Sequence, residues 1–166
     1  MKGSKNISTQ LTRKLKALSR DIEGEGHFDH LHRILYATDA SVYRELPLGV
    51  VYPRHEPDLV KIIDFCSNEK IPVIPRAAGT SLAGQVVGNG LVCDTSRYLT
   101  SILEIDEDTR RVTVEPGVIR DILNIELAEK GLFFGPNTST SNRCNIGGMI
   151  GNNSCGTTSI RYGTTR

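Results

Sequence analysis

A run of small residues directly after an apolar segment constrains the fold of this chain more than any other feature. Residues 75–85 read PRAAGTSLAGQ, and residues 71–74 before them read IPVI, which predicts a short strand over Ile71–Pro75. Alanine, glycine and serine dominate the run, so its backbone can closely approach a ligand or another backbone. Taken alone, the run is also compatible with a tight connection between two strands, which is the alternative interpretation.

Two common glycine-rich nucleotide motifs do not fit this run. The chain contains no G-x-x-x-x-G-K-[ST] sequence, which excludes a P-loop. The letters GTSLAG lack the G-x-G-x-x-G order, and no helical pattern follows them directly, so the Rossmann fingerprint is excluded as well.

A second segment of unusual composition lies about 50 residues further along the chain. Residues 136–163 read PNTSTSNRCNIGGMIGNNSCGTTSIRYG and contain only two charged residues. We expect this segment to be ordered, because it carries four apolar anchors: Ile146, Met149, Ile150 and Ile160. A packing interface of small residues is the alternative interpretation. Two segments rich in hydrogen-bond donors and poor in large side chains suit a large, elongated polar ligand with a phosphate part.

Composition bounds the class of protein. The chain has 166 residues, of which 38% are hydrophobic and 23% charged, as in a folded globular domain. The net charge of +1 gives no sign of a nucleic-acid partner. No apolar run approaches the roughly 18 residues of a membrane span, and no signal peptide is recognisable. We expect a cytoplasmic location, with peripheral association with the inner membrane as the alternative.

Two further expectations concern the state of the cysteines and the end of the chain. Cys66 and Cys93 lie in apolar patterns and are predicted to be small core residues with free thiols. The chain stops at SIRYGTTR without a helix end or a charged tail, which indicates a fragment of a longer protein.

Hydrophobic periodicity predicts three helices. The first covers Ile7–Ile22, and the second begins at Pro57 and Asp58. The third covers Val118–Lys130 and stops at Gly131. The inward positions predicted for the second helix are Leu59, Ile62, Ile63 and Cys66, and those for the third are Ile119, Ile122, Leu123 and Leu127.

Strand patterns complete an α+β prediction. Single strands are predicted at Gly49–Pro53 and Gly90–Ser96, in addition to the one before the small-residue run. Ser101–Asp106 and Arg110–Gly117 alternate around the turn EDTR and predict a hairpin. The hairpin argues against a purely parallel, doubly wound sheet.

Three histidines stand close together near the amino terminus. Residues 24–34 read GEGHFDHLHRI and are predicted to form a loop that contains His27, His30 and His32. No cysteine or regular set of carboxylates accompanies them, so solvated loop histidines are favoured over a metal site, and no metal ligand is assigned.

The order of the unusual segments resembles a known family. PRAAGTSLAG, a hairpin, VEPGV, STSNRCNIGGMIGNNSCG and RYG follow one another as in the FAD-linked oxidases of the p-cresol methylhydroxylase and vanillyl-alcohol oxidase superfamily. The chain is most similar to the bacterial FAD-linked D-lactate and D-2-hydroxyglutarate dehydrogenases. Residues 38–63 resemble the entry to the same domain, and the resemblance extends from about Ala37 to Arg166.

The resemblance implies a domain organisation and a cofactor site. Residues 1–36 would be a helical extension, and residues 37–166 the N-terminal part of a PCMH-type FAD-binding domain. The small-residue run would wrap the FAD pyrophosphate through Arg76, Ala77, Ala78, Gly79, Thr80 and Ser81, with Gly84 and Gln85 closing the loop. The second segment would line the flavin and ribityl parts through Pro136, Thr138, Ser139, Ser141, Ile146, Gly147 and Gly148, followed by Asn152, Asn153, Ser154 and Gly156.

The resemblance also implies how FAD is held. Some relatives read R-x-x-G-H at the small-residue run and bind the flavin covalently through that histidine, whereas this chain has Thr80 there. Non-covalent FAD is therefore expected, and Cys155 is expected to be a small residue packed near the cofactor rather than a tether. The family's general base and any metal ligands lie mostly in a later cap domain, so no catalytic residue is assigned.

The activity implied by the resemblance is oxidation of a 2-hydroxy acid such as D-lactate or D-2-hydroxyglutarate. A hydride would pass to the flavin and then, as electrons, to an unidentified acceptor. The alternatives are other chemistry on the same fold, as in the cell-wall enolpyruvyl reductase or the FAD subunit of molybdenum hydroxylases, and a non-catalytic binding domain.

Overall fold

The computed structural model describes residues 9–165 and divides them into two compact units. The first unit contains the chain up to Arg76 together with Ser81–Asp94, and the second contains Ala77–Thr80 together with the chain from Thr95 onward. Met1–Ser8, which include the start of the first predicted helix, and Arg166 lie outside the described residues.

A mixed four-stranded sheet forms the centre of the first unit. Its strands are β1 (Glu25–His27), β2 (Gly49–Tyr52), β3 (Val73–Arg76) and β4 (Leu91–Asp94), in the spatial order β1-β2-β4-β3. β4 runs parallel to both β2 and β3, whereas β1 is antiparallel to β2. β2 and β4 are buried along their whole length, in agreement with sequences that carry no charged residue before Asp94, the last residue of β4.

Helices α1 (Thr9–Asp21) and α3 (Glu56–Glu69) supply the rest of this unit's core. Leu15 and Leu18 of α1 are buried with Ile62 and Cys66 of α3, and the inward positions of the last two residues were predicted. The predicted inward position of Ile63 is wrong, because its side chain is 55% exposed. A helix rotates by about 100° per residue, so Ile63 points away from the face that carries its neighbour Ile62.

The loop predicted at residues 24–34 contains regular structure. β1 pairs Glu25 with Tyr52 and His27 with Val50, and helix α2 (His30–Leu35) follows it directly. Asp29 begins α2 as its N-cap, since its side chain accepts a hydrogen bond from the backbone N–H of His32. The loop prediction was wrong because β1 is only three residues long and α2 only six, too short for hydrophobic periodicity to register.

The second unit combines the predicted hairpin with helix α4 (Arg120–Ala128). Strands β5 (Ile102–Asp106) and β6 (Arg111–Val114) pair antiparallel around the turn, as expected. Leu123 and Leu127 of α4 enter the core, but Ile122 is 50% exposed, so its predicted inward position is wrong. Gly131 adopts φ +67° just after the helix, in agreement with its predicted role as a stop.

The long polar segment contains two short helices, α5 (Ile146–Gly151) and α6 (Ser159–Tyr162). Ile146 and Met149 are buried and anchor the segment as predicted. Ile150 and Ile160 are 53% and 101% exposed and do not act as anchors within the described residues. Among residues 9–165, no helix has both the length and the apolar character needed to cross a bilayer.

Candidate ligand-binding site

The small-residue run begins where β3 ends. Arg76 is the last residue of that strand and pairs in register with Asp94, the last residue of β4. Gly79 then adopts φ +64°, in the left-handed region that glycine enters without strain. The run therefore leaves the carboxyl edge of a parallel strand pair through a turn that requires glycine.

Three consecutive backbone donors in this run have no protein acceptor. Within the described residues, the N–H groups of Ala78, Gly79 and Thr80 donate no hydrogen bond. All three residues are only partly exposed. Successive unpaired N–H groups in a turn are the donors that bind the oxygens of a phosphate group.

The second unit brings this run against the polar segment predicted to share its ligand. A Cβ built on Gly148 would lie 3.1 Å from the Cβ of Ala77, which is closer than most real Cβ contacts. Two small side chains therefore allow the run to lie beside α5. Residues 77–80, the part of the run that belongs to the second unit, thus include the residue that approaches the polar segment.

The start of α5 is fixed by a neighbouring loop at Pro116 and Gly117. Gly147 donates its N–H to Pro116 O at 2.9 Å, and Ile146 donates to Val118 O at 2.9 Å. A side chain at Gly147 would meet Pro116, since a built Cβ lies 2.5 Å from its Cβ. Within the described residues the N–H of Gly148 has no acceptor, so it adds a fourth available donor beside Ala77.

Asn145, which the sequence analysis missed, holds the start of α5 from inside. Its side chain is 4% exposed and donates from Nδ2 to Gly117 O at 2.6 Å. The amide oxygen Oδ1 is buried without a hydrogen-bond partner among the described residues. A buried acceptor without a partner is costly, which suggests that a donor from outside these residues completes it. The asparagine directly before IGG was the available sequence signal.

Helix α4 contributes to holding residues 136–141 in place. Arg120 donates from Nε to Pro136 O at 3.2 Å. Ser141 donates its hydroxyl to Asp121 at 3.0 Å, so this hydroxyl already has a protein acceptor. Thr138 Oγ1 lies 3.2 Å from Cys144 Sγ, whereas Ser139 is exposed. Arg120 and Asp121 are thus supporting residues that sequence reasoning did not identify.

The residues after α5 form a tight turn. Asn153 has φ +46°, and the buried Ser154 donates its N–H to Met149 O at 2.9 Å. A Cβ on Gly156 would overlap the carbonyl oxygen of Asn137, so only glycine fits there. Asn152 and Cys155 are exposed.

The remaining predicted residues belong to the first unit. Ser81 accepts a hydrogen bond on its hydroxyl from the N–H of Ala83 at 3.2 Å. Gly84 adopts φ +70°, and a Cβ there would lie 2.6 Å from the ring of Tyr43. Gln85 is exposed. Gly84 is therefore required by the turn and by Tyr43.

Arg76 is held in a polar cluster at the ends of β3 and β4. Its guanidinium donates to Thr38 O at 2.8 Å and lies 4.9 Å from the centre of the Tyr36 ring. Tyr36 donates its hydroxyl to the buried carboxylate of Asp94 at 2.6 Å. Burial, together with this carboxylate, raises the pKa of Tyr36 far above its usual range, so the hydroxyl remains a donor at neutral pH.

The predicted core cysteines are buried and inert. Cys66 and Cys93 are 1% and 3% exposed, and burial raises the pKa of their thiols to about 11 and about 12. Thiols with pKa values this high carry almost no thiolate at neutral pH and are poor nucleophiles. Cys155 is the exposed cysteine among the described residues.

Comparisons with known proteins agree with this geometry. A profile of the family described as "FAD binding domain" matches residues 47–166. The D-2-hydroxyglutarate dehydrogenase of Haemophilus influenzae is 40% identical over 146 residues, which are 86% of this chain and 14% of that protein. The glycolate oxidase subunit GlcD of Bacillus subtilis is 35% identical over 161 residues, which are 94% of this chain and 34% of that protein.

A solved structure of alkyldihydroxyacetonephosphate synthase has the same fold. It superposes with a TM-score of 0.79 over 96% of this chain and 34% of its own, at 19% sequence identity. The chain thus spans only a minor part of the proteins that it matches.

Proposed function

Because this chain belongs to the family of FAD binding domains, we propose that the full-length protein is a flavin-dependent dehydrogenase that oxidises a 2-hydroxy acid. The expected α+β, PCMH-type fold is confirmed by the family match and by the solved structure of the same fold. The observation that carries the proposal is the set of free backbone donors at Ala78, Gly79 and Thr80, which lie in the same compact unit as Gly147 and Gly148.

The residues present fit a bound FAD. We assign the pyrophosphate to Arg76, Ala77–Ser81, Gly84 and Gln85 because this run resembles the pyrophosphate loop of the family. The unpaired N–H groups of Ala78, Gly79 and Thr80 support the assignment. The flavin and ribityl parts are assigned to the second segment, where Gly148 leaves an N–H free and Asn145 leaves a buried oxygen without a partner. The residues assigned there are Pro136, Thr138, Ser139, Ser141, Ile146, Gly147, Gly148, Asn152, Asn153, Ser154 and Gly156.

The substrate class comes from the relatives. Their names give D-2-hydroxyglutarate and glycolate, which are both 2-hydroxy acids. Bound FAD would supply the two-electron acceptor for the hydride that leaves the hydroxyl-bearing carbon. This chain would bind and orient the cofactor, and we assign it no general base. We also propose that the FAD-binding domain begins at residue 37, after a helical extension over residues 1–36. The reduced flavin would pass its electrons to an acceptor that we leave unidentified. The proposed location is the cytoplasm, with peripheral association with the inner membrane as the alternative.

The proposed activity is tested on the full-length protein. Purified protein should reduce an artificial electron acceptor with D-2-hydroxyglutarate, D-lactate or glycolate, and anaerobic addition of the correct acid should bleach the flavin absorption. Flavin that binds but is not reduced by any 2-hydroxy acid would favour other chemistry on this fold. A protein that does not perturb the flavin spectrum at saturating FAD would rule out both.

We further propose that FAD is held without a covalent bond. Thr80 occupies the position where a histidine tether would stand, and a threonine hydroxyl does not form that bond. Acid precipitation of the full-length protein should release all of the flavin into the supernatant, as measured by its absorption. Flavin that stays with the precipitated protein would contradict this prediction.

A matched pair of glycines tests the contact between the two segments. Gly148→Val should weaken FAD binding about tenfold, because its methyl groups would push Ala77 and the small-residue run away from α5. Gly151→Val is the control, since Gly151 lies on the same helix with nothing within 4 Å of a built Cβ. FAD titration of the two full-length variants compares them, and equal affinities would contradict the assignment.

A further inference from the structure

Two histidines and a carboxylate that are not among the residues assigned to the cofactor converge in the first unit. One ligand atom from each of His27, Asp29 and His32 lies within 4.8 Å of the other two. The imidazole rings of His27 and His32 stack, with centroids 4.0 Å apart and an interplanar angle of 17°. Both histidines are only partly exposed, which differs from the solvated loop histidines that the sequence favoured.

Regular structure holds all three residues in place. His27 is the last residue of β1 and pairs with Val50 of the buried strand β2. Asp29 is the N-cap of α2 and uses Oδ1 to accept from the backbone N–H of His32 at 3.1 Å. The cluster is therefore held by backbone pairing and a helix cap.

Each of the two imidazoles also contacts a carboxylate. Asp29 Oδ2 lies 2.7 Å from His32 Nδ1, and Glu25 Oε2 lies 2.9 Å from His27 Nε2. Each imidazole thus already has a carboxylate beside one ring nitrogen. Imidazole nitrogen and carboxylate oxygen are ligands that zinc and related divalent ions prefer.

We propose that His27, Asp29 and His32 bind a divalent transition metal ion of the zinc class, with Glu25 or water as the fourth ligand. Tetrahedral zinc with bonds of about 2.1 Å places its ligand atoms roughly 3.4 Å apart. The present spacing of up to 4.8 Å must therefore contract by small rotations of side chains. The bound ion would link β1 to α2 and so stabilise the segment that leads from the edge of the sheet to Tyr36.

Zinc binding to the full-length, tag-free protein tests the proposal. We expect Zn²⁺ to slow amide exchange in peptides that cover residues 25–35, as measured by hydrogen–deuterium exchange. Calorimetric titration should give one more equivalent of Zn²⁺ for the wild type than for His32→Gln. Loss of a direct ligand should weaken binding at this site at least tenfold, since even outer-shell partners of a metal contribute about 10- to 100-fold.

His30 provides a matched control in the same helix. It is exposed and does not belong to the cluster, so His30→Gln should keep both the extra equivalent and the protection by zinc. Asp29→Asn is a second variant that keeps a good helix cap but removes the ligand charge, and it should also lose the protection. Wild-type protein that gains no protection at residues 25–35, or a His27→Gln/His32→Gln double variant that binds zinc as the wild type does, would overturn the proposal.

Discussion

Gly79→Leu is expected to weaken FAD binding by on the order of 100-fold, or about 2.7 kcal/mol. Gly79 adopts φ +64°, and its N–H is one of the three consecutive donors without a protein acceptor. A leucine there would strain the backbone by roughly 1–2 kcal/mol and turn the donors away from a phosphate. Its side chain would also fill the space in front of them. Titration of the full-length apoprotein with FAD measures the loss.

Gly131→Leu is the control that distinguishes loss of the phosphate-binding donors from the effect of backbone strain alone. Gly131 has nearly the same φ of +67°, and a built Cβ there meets nothing within 4 Å. This variant should carry a similar backbone penalty and bind FAD like the wild type. If Gly79→Leu also binds FAD with unchanged affinity, the pyrophosphate binds elsewhere and the assignment of residues 76–81 fails.

Asp58→Asn is expected to destabilise the first unit by about 2–4 kcal/mol. Asp58 is fully buried at the start of α3. Its Oδ1 accepts from the N–H of Glu23, and its Oδ2 accepts from the N–H groups of Gly24 and Arg54, all at 2.9 Å. Asparagine keeps only one oxygen, so its amide group would face a buried donor. Hydrogen–deuterium exchange of peptides from β2 and α3 in the full-length protein measures the local opening.

The effect of Asp58 should depend on pH in a defined direction. Burial raises the pKa of this carboxyl, but the three backbone N–H groups outweigh burial, and the folded-state pKa is lowered. A carboxyl with a lowered pKa stabilises the fold above its unfolded pKa of about 3.9 and loses that contribution as the pH falls through the folded value. The difference between the wild type and Asp58→Asn should thus be constant above about pH 5 and shrink in more acidic solution.

Asp64→Asn is the control for this prediction. Asp64 lies on the same helix but is exposed, so its substitution should change stability by less than about 0.5 kcal/mol. Equal exchange rates in the Asp58 and Asp64 variants would show that the three backbone hydrogen bonds do not hold the start of α3.

The sequence predicted most regular elements, because their patterns are long enough or fully apolar. β2 and β4 are buried on both faces and are apolar up to Asp94, the last residue of β4, and the hairpin alternates on either side of a turn. The first, second and third helices were found in the same way. The errors concern single helix positions: Ile63 and Ile122 were predicted to point inward, but their neighbours Ile62 and Leu123 occupy the core instead.

The candidate site was predicted by composition and by resemblance rather than by periodicity. The small residues Ala77 and Gly148 indicated two backbone segments that closely approach a ligand or another backbone. The structure places these two residues against each other within one unit. The supporting contacts from Arg120, Asp121 and Asn145 were not predictable. Each contact joins residues 16 to 28 positions apart in the chain, a pairing that no local pattern encodes.

The sequence by itself determined the α+β class, the two small-residue segments and the threonine at position 80, since these depend on residue identity and local spacing. Only the tertiary structure decided which backbone donors lack an acceptor and that the side-chain oxygen of Asn145 is buried without a partner. The packing of distant segments determines which polar groups find hydrogen-bond partners. The tertiary structure also decided that His27 and His32 stack beside Asp29. In the sequence they are separate polar residues, and pairing of β1 with β2 followed by the cap of α2 brings them together.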